Sequence, residues 1–350
     1  MTRKLTSIKK IDNLSEIPNA DKIEKATIGG WEIVVQKGLH SIGDNVLVFE
    51  IDSLLPEDLL KELNLWHETN NKGKLSGKMG NRLTTLKLRG QISQGMVIPL
   101  RDIKDYNVMG FERFSQLNLD THFGITKYEP EIPFELQGEV LGANPTFFPM
   151  TEEERIQNIP QIFELYKDKE FIVHEKLDGT SMTIYYNLGH FGVCGRNWEY
   201  KENFNNTLWR IADKFRDKIP RAKFALSGEL IGPGIQGNIY KLKECEFRPF
   251  SLYYPWRYDK EFATDHELNE ICLELGLTPC PLVCKMKLPA TMKELLEFAD
   301  GPSLLNKDTN REGLVFRTVN SEYAQGVSIG NKNNLLSFKV ISNLYLLSSK

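Results

Sequence analysis

The sequence lacks several features that would each place it in a broad class of proteins. No stretch approaches the roughly 18 consecutive apolar residues that a helix needs to cross a bilayer. The basic start of the chain, from Met1 to Lys10, has no apolar segment behind it, so no secretory signal is expected. Internal repeats and low-complexity tracts are also absent. We therefore expect an intracellular protein, in either the cytoplasm or the nucleus.

Cysteine is scarce and poorly spaced for a metal site or a disulfide framework. The five cysteines are odd in number, and none lies in the first half of the chain. Cys280 and Cys284 form a lone C-x3-C without a second pair, which is poor spacing for zinc. Buried free thiols are the expected state of these residues.

An excess of either charge is missing too, but the balance is not uniform along the chain. Forty-four basic and 47 acidic side chains leave a net charge of −3, which by itself argues against a broad electrostatic nucleic-acid binder. Between Asn71 and Gly90, however, the chain has several basic residues and no acidic one. This stretch is either a solvated hairpin or an edge that follows a nucleic-acid backbone, and the character of the domain that follows it, described below, favours the second. Its basic residues are Lys72, Lys74, Lys78, Arg82, Lys87 and Arg89.

The length of 350 residues predicts about two domains, and the two halves of the chain have different patterns. Residues 1–101 contain short apolar or alternating runs between glycine and asparagine turns, with one helix predicted at 56–68. This pattern is typical of a small, mostly closed β-barrel. Prolines predict an extended connector over 102–145. Residues 146–350 alternate strands with helices, as in an α+β or α/β domain. Those helices are predicted at 151–167, 204–217, 264–275 and 291–299.

The most informative stretch is an apolar strand from Phe171 that ends in Glu175, Lys176, Asp178 and Gly179. Charges at the end of a buried strand are costly unless they are paired or used. By itself, K-x-D-G is expected by chance in on the order of one chain in ten of this length. Later strand-like segments each deliver one further charged or aromatic group, which is a rigid way to build a site. These groups are Arg196, Glu229, Phe250, Glu312 and Lys339.

In this order and spacing, the segments resemble the covalent nucleotidyltransferase superfamily of ATP-dependent RNA and DNA ligases and capping enzymes. The resemblance covers about residues 146–345. Residues 228–238 are similar to a stretch typical of RNA ligases that seal nicks. Residues 86–95 and 125–130 resemble the N-terminal OB barrel of the fifth RNA-ligase family, the Deinococcus and Naegleria type.

The resemblance implies an α+β protein with an N-terminal OB-type β-barrel. An ATP-grasp-like nucleotidyltransferase domain with antiparallel sheets would follow it. We therefore predict an OB-fold nucleic-acid-binding domain at 1–101, the extended connector at 102–145, and the adenylyltransferase domain at 146–350.

The same resemblance implies a chemical role for each charged residue. Lys176 would attack the α-phosphate of ATP and form lysyl–AMP, and its pKa must be depressed because only a neutral amine attacks. Lys339 would contact the α-phosphate, and Arg196 the ribose or the RNA end. Mg²⁺ or Mn²⁺ would be held partly through water, since Mg²⁺ retains its hydration shell. The metal-holding residues would be Asp178, Glu229 and Glu312.

The resemblance also implies how the nucleotide is bound. Glu175 would accept a hydrogen bond from the adenine amino group, and Phe250 would stack on the base. The full nucleotide-binding set is Glu175, Lys176, Gly179, Arg196, Glu229, Phe250, Glu312 and Lys339. Many relatives carry two lysines one residue apart near Lys339, whereas Ser337 and Ile341 occupy those positions here. Lys332 or Arg317 would then supply the second cation.

We therefore expect an ATP-dependent RNA ligase that joins a 3′-hydroxyl to a 5′-phosphate. It would act as a monomer on RNA, chiefly on a nicked duplex with an RNA 3′-OH strand. A DNA ligase and a capping guanylyltransferase are the enzymatic alternatives, but both usually carry the OB domain after the catalytic domain. Only 11 residues follow Lys339, too few for a barrel. The alternative from another class is a non-catalytic RNA-binding protein with a degenerate ligase domain.

Overall fold

The computed structural model describes residues 4–129, 138–150, 152–257, 261–329 and 334–348. The chain separates into two compact units, Met1–Glu131 and Ile132–Lys350. Within the described ranges, no helix is both long enough and apolar enough to traverse a membrane.

The first unit is built from short antiparallel strands in several small sheets. In one strand, Trp31, Ile33 and Val35 are buried and the residues between them are less so, which is the two-residue period of a half-buried strand. Two three-stranded sheets have the orders β1-β5-β11 and β2-β3-β4, and β6 pairs with β12, β7 with β8 and β9 with β10. The strands are β1 (Thr6–Lys10), β2 (Asn13–Glu16), β3 (Ile23–Ile28), β4 (Trp31–Gln36), β5 (Asn45–Glu50), β6 (Ser53–Leu54), β7 (Trp66–His67), β8 (Lys72–Gly73), β9 (Leu86–Leu88), β10 (Gln91–Ser93), β11 (Gly95–Pro99) and β12 (Thr126–Lys127).

The helices of the first unit differ from the sequence prediction. The predicted helix at 56–68 is shorter, because α1 (Glu57–Glu62) ends before Asn64, whose φ of 56° is left-handed. The predicted extended connector is wrong for its first part, where α2 (Lys104–Phe114) and α3 (Leu119–His122) occur. Phe114 and Leu119 are buried in the core of this unit, so apolar packing outweighs the extended character inferred from prolines. Of those prolines, Pro130 and Pro133 lie outside the described residues.

The second unit contains two large sheets. The six-stranded sheet has the order β13-β18-β17-β16-β19-β20, and the five-stranded sheet has the order β14-β23-β22-β15-β21. All their pairings are antiparallel except the short parallel one between β14 and β23. The strands are β13 (Val140–Ala143), β14 (Glu154–Arg155), β15 (Glu170–Lys176), β16 (Thr180–Asn187), β17 (His190–Cys194), β18 (Trp198–Tyr200), β19 (Phe224–Ile231), β20 (Glu246–Tyr253), β21 (Leu282–Lys287), β22 (Gly313–Thr318) and β23 (Ser337–Ile341).

Helices of the second unit cover the sheets, and each sheet has its own apolar core. The predictions at 264–275 and 291–299 are confirmed, and Thr264 and Thr291 cap the two helices. The prediction at 151–167 is wrong over most of its length, because Glu154 and Arg155 pair with β23, Ile156–Asn158 is a short 3-10 turn, and only Ile162–Leu165 is α-helical. The helices are α4 (Ile162–Leu165), α5 (Thr207–Asp213), α6 (Asp265–Leu275), α7 (Met292–Ala299) and α8 (Asn343–Ser348).

Candidate active site

A pocket of about 370 Å³ in the second unit is lined by residues of both large sheets. Its walls come from the strands β15, β16, β19, β20, β22 and β23 and from turns and loops beside them. Every residue that the sequence placed in the nucleotide and metal sites lines this one pocket: Glu175, Lys176, Asp178, Gly179, Arg196, Glu229, Phe250, Glu312 and Lys339.

Close backbone contacts set the positions of the K-x-D-G residues. Lys176 is the last residue of β15 and lies opposite Gly313, where a Cβ would come within 2.2 Å of the Val340 carbonyl oxygen. The next turn approaches β19 so closely that a Cβ on Gly179 would lie 2.4 Å from a backbone oxygen. The Asp178 N–H donates to the Tyr240 hydroxyl at 2.6 Å. Glycine is therefore required at both positions by the approach of a neighbouring strand.

Lys176 is paired with Glu312. Its Nζ lies 2.7 Å from both carboxylate oxygens of Glu312, in a bidentate ion pair. Burial lowers the pKa of Lys176, but Glu312, Glu229 and Asp178 outweigh that effect, so the pKa lies above its ordinary value. The protein's own groups therefore stabilise the ammonium form, and the depressed pKa that the sequence predicts for the attacking amine would require a neighbouring cation such as a bound metal ion.

Two of the predicted metal-holding carboxylates, Glu229 and Asp178, have raised pKa values. Burial, with Glu312 and Asp178 adding to it, raises the pKa of Glu229 to about 7, although Lys176 opposes the shift. Burial also raises the pKa of Asp178, against a hydrogen bond from Tyr345. Glu312 contributes to both raised pKa values, and carboxylates gathered in this way are the setting in which a cation would be stabilising.

Asp178, Glu229 and Glu312 do not form a preformed cluster of direct metal ligands. Within the described parts of the chain, no three His, Cys, Asp or Glu side chains form a group that could hold a metal ion. Their oxygen chemistry nevertheless fits Mg²⁺ or Mn²⁺, because Mg²⁺ commonly keeps several waters and uses one or two carboxylates together with substrate phosphates. The residues therefore suit a cation that is held partly through water.

Lys339 lies on β23, directly opposite Val315 of β22. Burial, together with the charges of Lys176 and Arg155, lowers the pKa of Lys339 to about 8. Lys339 is only partly exposed and lies within a paired strand, so it is not a solvated surface residue. Arg155 of β14 pairs in register with Lys339 and brings a further cation beside it. Sequence reasoning missed Arg155, since nothing in a two-residue strand signals parallel pairing with a segment so distant along the chain.

The two residues expected to supply the second cation have different outcomes. Lys332 lies outside the described residues. Arg317 lines the pocket, but its guanidinium is bound to Glu153 and to the backbone carbonyl of Phe250.

Arg196 lies at the pocket with its side chain 68% exposed and is held by residues that the sequence did not single out. Its guanidinium is 2.5 Å from Glu152. The Asn144 side-chain amide donates to the carbonyl oxygens of Gly195 and Arg196 at 3.0 and 3.1 Å, which supports the turn. Asn144 and Glu152 precede Arg196 by about 50 residues along the chain, so their role depends on the tertiary structure.

Glu175 is almost completely buried beside the pocket. One carboxylate oxygen, Oε2, accepts a hydrogen bond from the Leu304 N–H at 2.7 Å. The other, Oε1, is buried without a hydrogen-bond partner among the described residues. Burial raises the pKa of Glu175, against hydrogen bonds from Ser303 and Leu304. An unpaired buried acceptor is costly, and a donor group on a bound molecule would satisfy it.

The basic stretch of the first unit divides into one structural residue and several exposed ones. Arg82 forms a 2.6 Å ion pair with Asp52 and lies 3.7 Å above the Tyr128 ring, so it stabilises the unit. Lys74 donates to a backbone carbonyl and is exposed. Arg89 lies in a tight turn after β9 with a φ of 51°. The remaining basic residues, Lys72, Lys78 and Lys87, are also exposed.

Comparisons with known protein families match two separate parts of the chain. A family model described as an OB-fold domain matches residues 5–100, and the RNA ligase family model matches residues 169–341. A search of curated proteins finds no match.

Solved structures of an RNA ligase from Naegleria gruberi are similar to this chain over nearly its whole length. A mutant of that ligase with AMP and Mn is 36% identical, with a TM-score of 0.76 and 98% of each chain covered. A mutant with ATP and Mn gives the same values. The ligase with PPi is 36% identical, with a TM-score of 0.75, and covers 99% of this chain and 98% of its own. The resemblance drawn from the sequence and the predicted fold class are confirmed.

Proposed function

This chain belongs to the RNA ligase family and is a ligase, and we propose that it seals RNA 3′-hydroxyl and 5′-phosphate ends through a lysyl–AMP intermediate. The observation that carries the proposal is the convergence in one pocket of Lys176, its partner Glu312 and the lowered-pKa Lys339. Since every residue of the proposed site comes from one chain, we propose that it acts as a monomer.

The first step is attack of the Lys176 Nζ lone pair on the α-phosphorus of ATP. A nitrogen–phosphorus bond forms, the bond to the bridging oxygen of the β-phosphate breaks, and pyrophosphate leaves. Glu312 holds the amine in position but also favours its protonated form. A bound Mg²⁺ or Mn²⁺, held by Asp178, Glu229 and Glu312, would supply the positive charge that lowers the amine pKa and stabilises the phosphate oxygens. Lys339 adds charge stabilisation at the α-phosphate.

The later steps transfer AMP and then release it. The 5′-phosphate of the RNA attacks the phosphorus of lysyl–AMP, and the nitrogen–phosphorus bond breaks. The 3′-hydroxyl then attacks the activated 5′-phosphorus, and AMP leaves. Arg196 is exposed at the pocket and is suited to contact the ribose or the RNA end.

The polar contacts of Glu175 support ATP as the nucleotide. Its buried Oε1 is an acceptor that lacks a partner among the described residues. The exocyclic amine of adenine at position 6 is a donor and would satisfy this oxygen, whereas guanine has a carbonyl oxygen there. Phe250 would stack on the base from β20.

We propose that the first unit binds the RNA backbone. An OB fold commonly binds nucleic acid, and the exposed basic side chains of this unit would neutralise phosphates. The preferred substrate in this proposal is a nicked duplex with an RNA 3′-OH strand.

Incubation with α-labelled ATP and Mg²⁺ or Mn²⁺ tests the first step. We expect label on the chain and none on Lys176→Ala. Lys287→Ala is the matched control, because Lys287 is an exposed lysine on the neighbouring strand β21, outside the pocket lining. Label that persists in Lys176→Ala would refute the nucleophile assignment. Label from GTP instead of ATP would favour a capping enzyme, and no label from either nucleotide would favour the non-catalytic RNA-binding alternative.

A sealing assay tests the substrate. Nicked duplexes that differ only in an RNA or a DNA 3′-OH strand are compared with free single strands. We expect the RNA nick to be sealed fastest. Equal or faster sealing of the DNA nick would favour a DNA ligase.

A further inference from the structure

Phe250 occupies an irregular position in its strand. In the pairing of β20 with β19, Ser251 lies opposite Ser227 and Pro249 lies opposite Gly228, so Phe250 is the extra residue of a β-bulge. A bulge interrupts the ladder and re-aims the side chain, and its polar backbone atoms need partners elsewhere. The bulge turns the Phe250 ring toward the pocket and removes its carbonyl from the ladder.

Arg317 supplies the partner that the bulge requires. It lies on β22 of the other large sheet, and its Nη1 donates to the Phe250 carbonyl oxygen. Its guanidinium carbon is also 5.5 Å from the centre of the Phe250 ring. One side chain of the five-stranded sheet therefore holds both the backbone and the ring of the bulged residue in the six-stranded sheet.

Glu153 holds Arg317 in turn. Its carboxylate lies 2.6 Å from Nη2 and 3.3 Å from Nε of Arg317, and Ser337 Oγ is 3.3 Å from the same Nε. The Arg317 and Glu153 side chains are 18% and 11% exposed. Both nitrogens donate to the same oxygen, Oε1, and a buried ion pair of this kind imposes geometry more reliably than it adds stability.

Phe250 packs against a small apolar cluster that includes Tyr240 and Cys280, but empty space lies on another side of it. A cavity of about 30 Å³ lies next to it, lined also by Ser251, Leu252 and Arg317. The ring is therefore incompletely packed, and a lost hydrogen bond to its backbone would leave it free to shift.

We propose that Arg317, held by Glu153, is a positioning residue that aims Phe250 at the base of the bound nucleotide and is not a ligand of the phosphates. The inference rests on the proposed function, in which the pocket binds ATP with its base against Phe250. All three guanidinium nitrogens of Arg317 already have hydrogen-bond partners, and the Glu153 carboxylate compensates the positive charge. A phosphate would have to displace Glu153 from a buried site to reach it.

The test separates binding of the base from binding of the phosphates. The variant Glu153→Gln/Arg317→Met removes the ion pair and the bond to Phe250 together, so no uncompensated charge stays buried. The KM for ATP and the maximal rate are measured by labelling of Lys176. The reverse reaction of the preformed lysyl–AMP chain with pyrophosphate gives the pyrophosphate concentration at half-maximal rate. This second readout does not involve base binding from solution.

We expect the double variant to raise the KM for ATP about tenfold, as loss of a base–aromatic stack would. The maximal rate and the pyrophosphate dependence should stay within about twofold. In a Phe250→Ala background the same two substitutions should change the KM by less than about twofold, because Arg317 acts through Phe250. Arg257→Met/Glu267→Gln is the matched control, since Arg257 and Glu267 form a 2.7 Å pair outside the pocket lining.

Three results would overturn the inference: an unchanged KM for ATP, a KM effect of equal size in the Phe250→Ala background, or a weakened response to pyrophosphate. The last would make Arg317 a phosphate ligand. Thermal melting shows whether the double variant folds, and Arg317→Lys gives the same test if it does not. Lysine keeps a charge for Glu153 but cannot reach both partners with one planar fork. A wild-type chain that takes no label would refute the proposed function as well.

Discussion

The close contact of Gly179 with β19 predicts that Gly179→Ala will push the K-x-D-G turn away from this strand, which carries Glu229. An added Cβ would lie 2.4 Å from the Leu230 carbonyl oxygen, 2.7 Å from Ile231 Cγ2 and 2.8 Å from Glu229 Cγ. Real Cβ atoms essentially never come closer than 3.0 Å. The turn and the strand must then separate by about 0.6 Å, the difference between 3.0 and 2.4 Å.

The structural strain sets the expected magnitudes. Overpacking of this kind costs about 1–3 kcal/mol of unfolding free energy. For a unit of this size, a cost of about 2 kcal/mol corresponds to a fall in Tm of about 4–8 °C. The separation moves Asp178 and Lys176 relative to Glu229, and a misplacement of about 1 Å can cost on the order of 100-fold in rate. We therefore expect labelling of Lys176 by ATP to fall by one to two orders of magnitude.

Labelling rate and Tm, measured on the same preparations, test this reasoning. Gly189→Ala is the control, because Gly189 has a φ of 85° in the turn between β16 and β17 and an added Cβ meets nothing within 4 Å. Its left-handed backbone should cost about 1–2 kcal/mol of stability while labelling stays near the wild-type rate. If Gly179→Ala labels Lys176 as fast as Gly189→Ala does, the close approach of the two segments does not set the geometry of the site.

Three further outcomes follow from the charges. Because burial raises the pKa of Glu229 to about 7, the folded chain binds a proton more tightly than the unfolded chain does. The stability that this group contributes is present at low pH and is lost as the pH rises through about 7. The Tm of the metal-free wild-type chain should therefore fall between pH 5 and 8, and Glu229→Gln should make that fall smaller. Parallel Tm curves for the two chains would contradict this. Since the pKa of Lys339 is about 8, the labelling rate should decline above that pH. Lys339→Arg should remove the decline, because arginine stays charged. A decline that is unchanged in the variant would argue against a role for the positive charge of Lys339. Replacing four exposed basic residues of the first unit by Gln should make the binding of nicked RNA less dependent on salt and leave labelling unchanged. The slope of the logarithm of the binding constant against the logarithm of the salt concentration should fall by roughly 0.7–0.9 per lost phosphate contact. An unaltered slope would mean that the RNA binds elsewhere. These four residues are Lys72, Lys78, Lys87 and Arg89.

Residues whose role follows from their own type and their near neighbours in the sequence could be predicted. Lys176, Glu229 and Lys339 are each a charge at or within an apolar run, and such a charge is too costly to bury without a purpose. The capped helices α6 and α7 are equally local, because their N-cap threonines and apolar spacing lie within a few residues.

Residues whose role depends on distant pairing could not be predicted. Arg155 comes beside Lys339 only because β14 joins β23 in parallel, although more than 180 residues separate them along the chain. Glu153 and its partner Arg317 are 164 residues apart, and Asn144 precedes the turn that it supports by about 50 residues. The helices at 104–114 and 119–122 were missed because their burial depends on a core assembled from many segments of the first unit.

The sequence by itself determined the two-part organisation, the nucleotidyltransferase motifs and the identity of the groups that line the pocket, because each rests on residue type and order. The tertiary structure decided the state of those groups. It raised the pKa of Lys176, since the carboxylates of Glu312, Glu229 and Asp178, from three separate segments of the chain, lie near the amine. It also bound Arg317 to Glu153 and Phe250, because a bulge in one sheet lies within reach of a strand in the other. The pKa of a buried group and the orientation of a side chain depend on distances between segments, and those distances exist only in the folded chain.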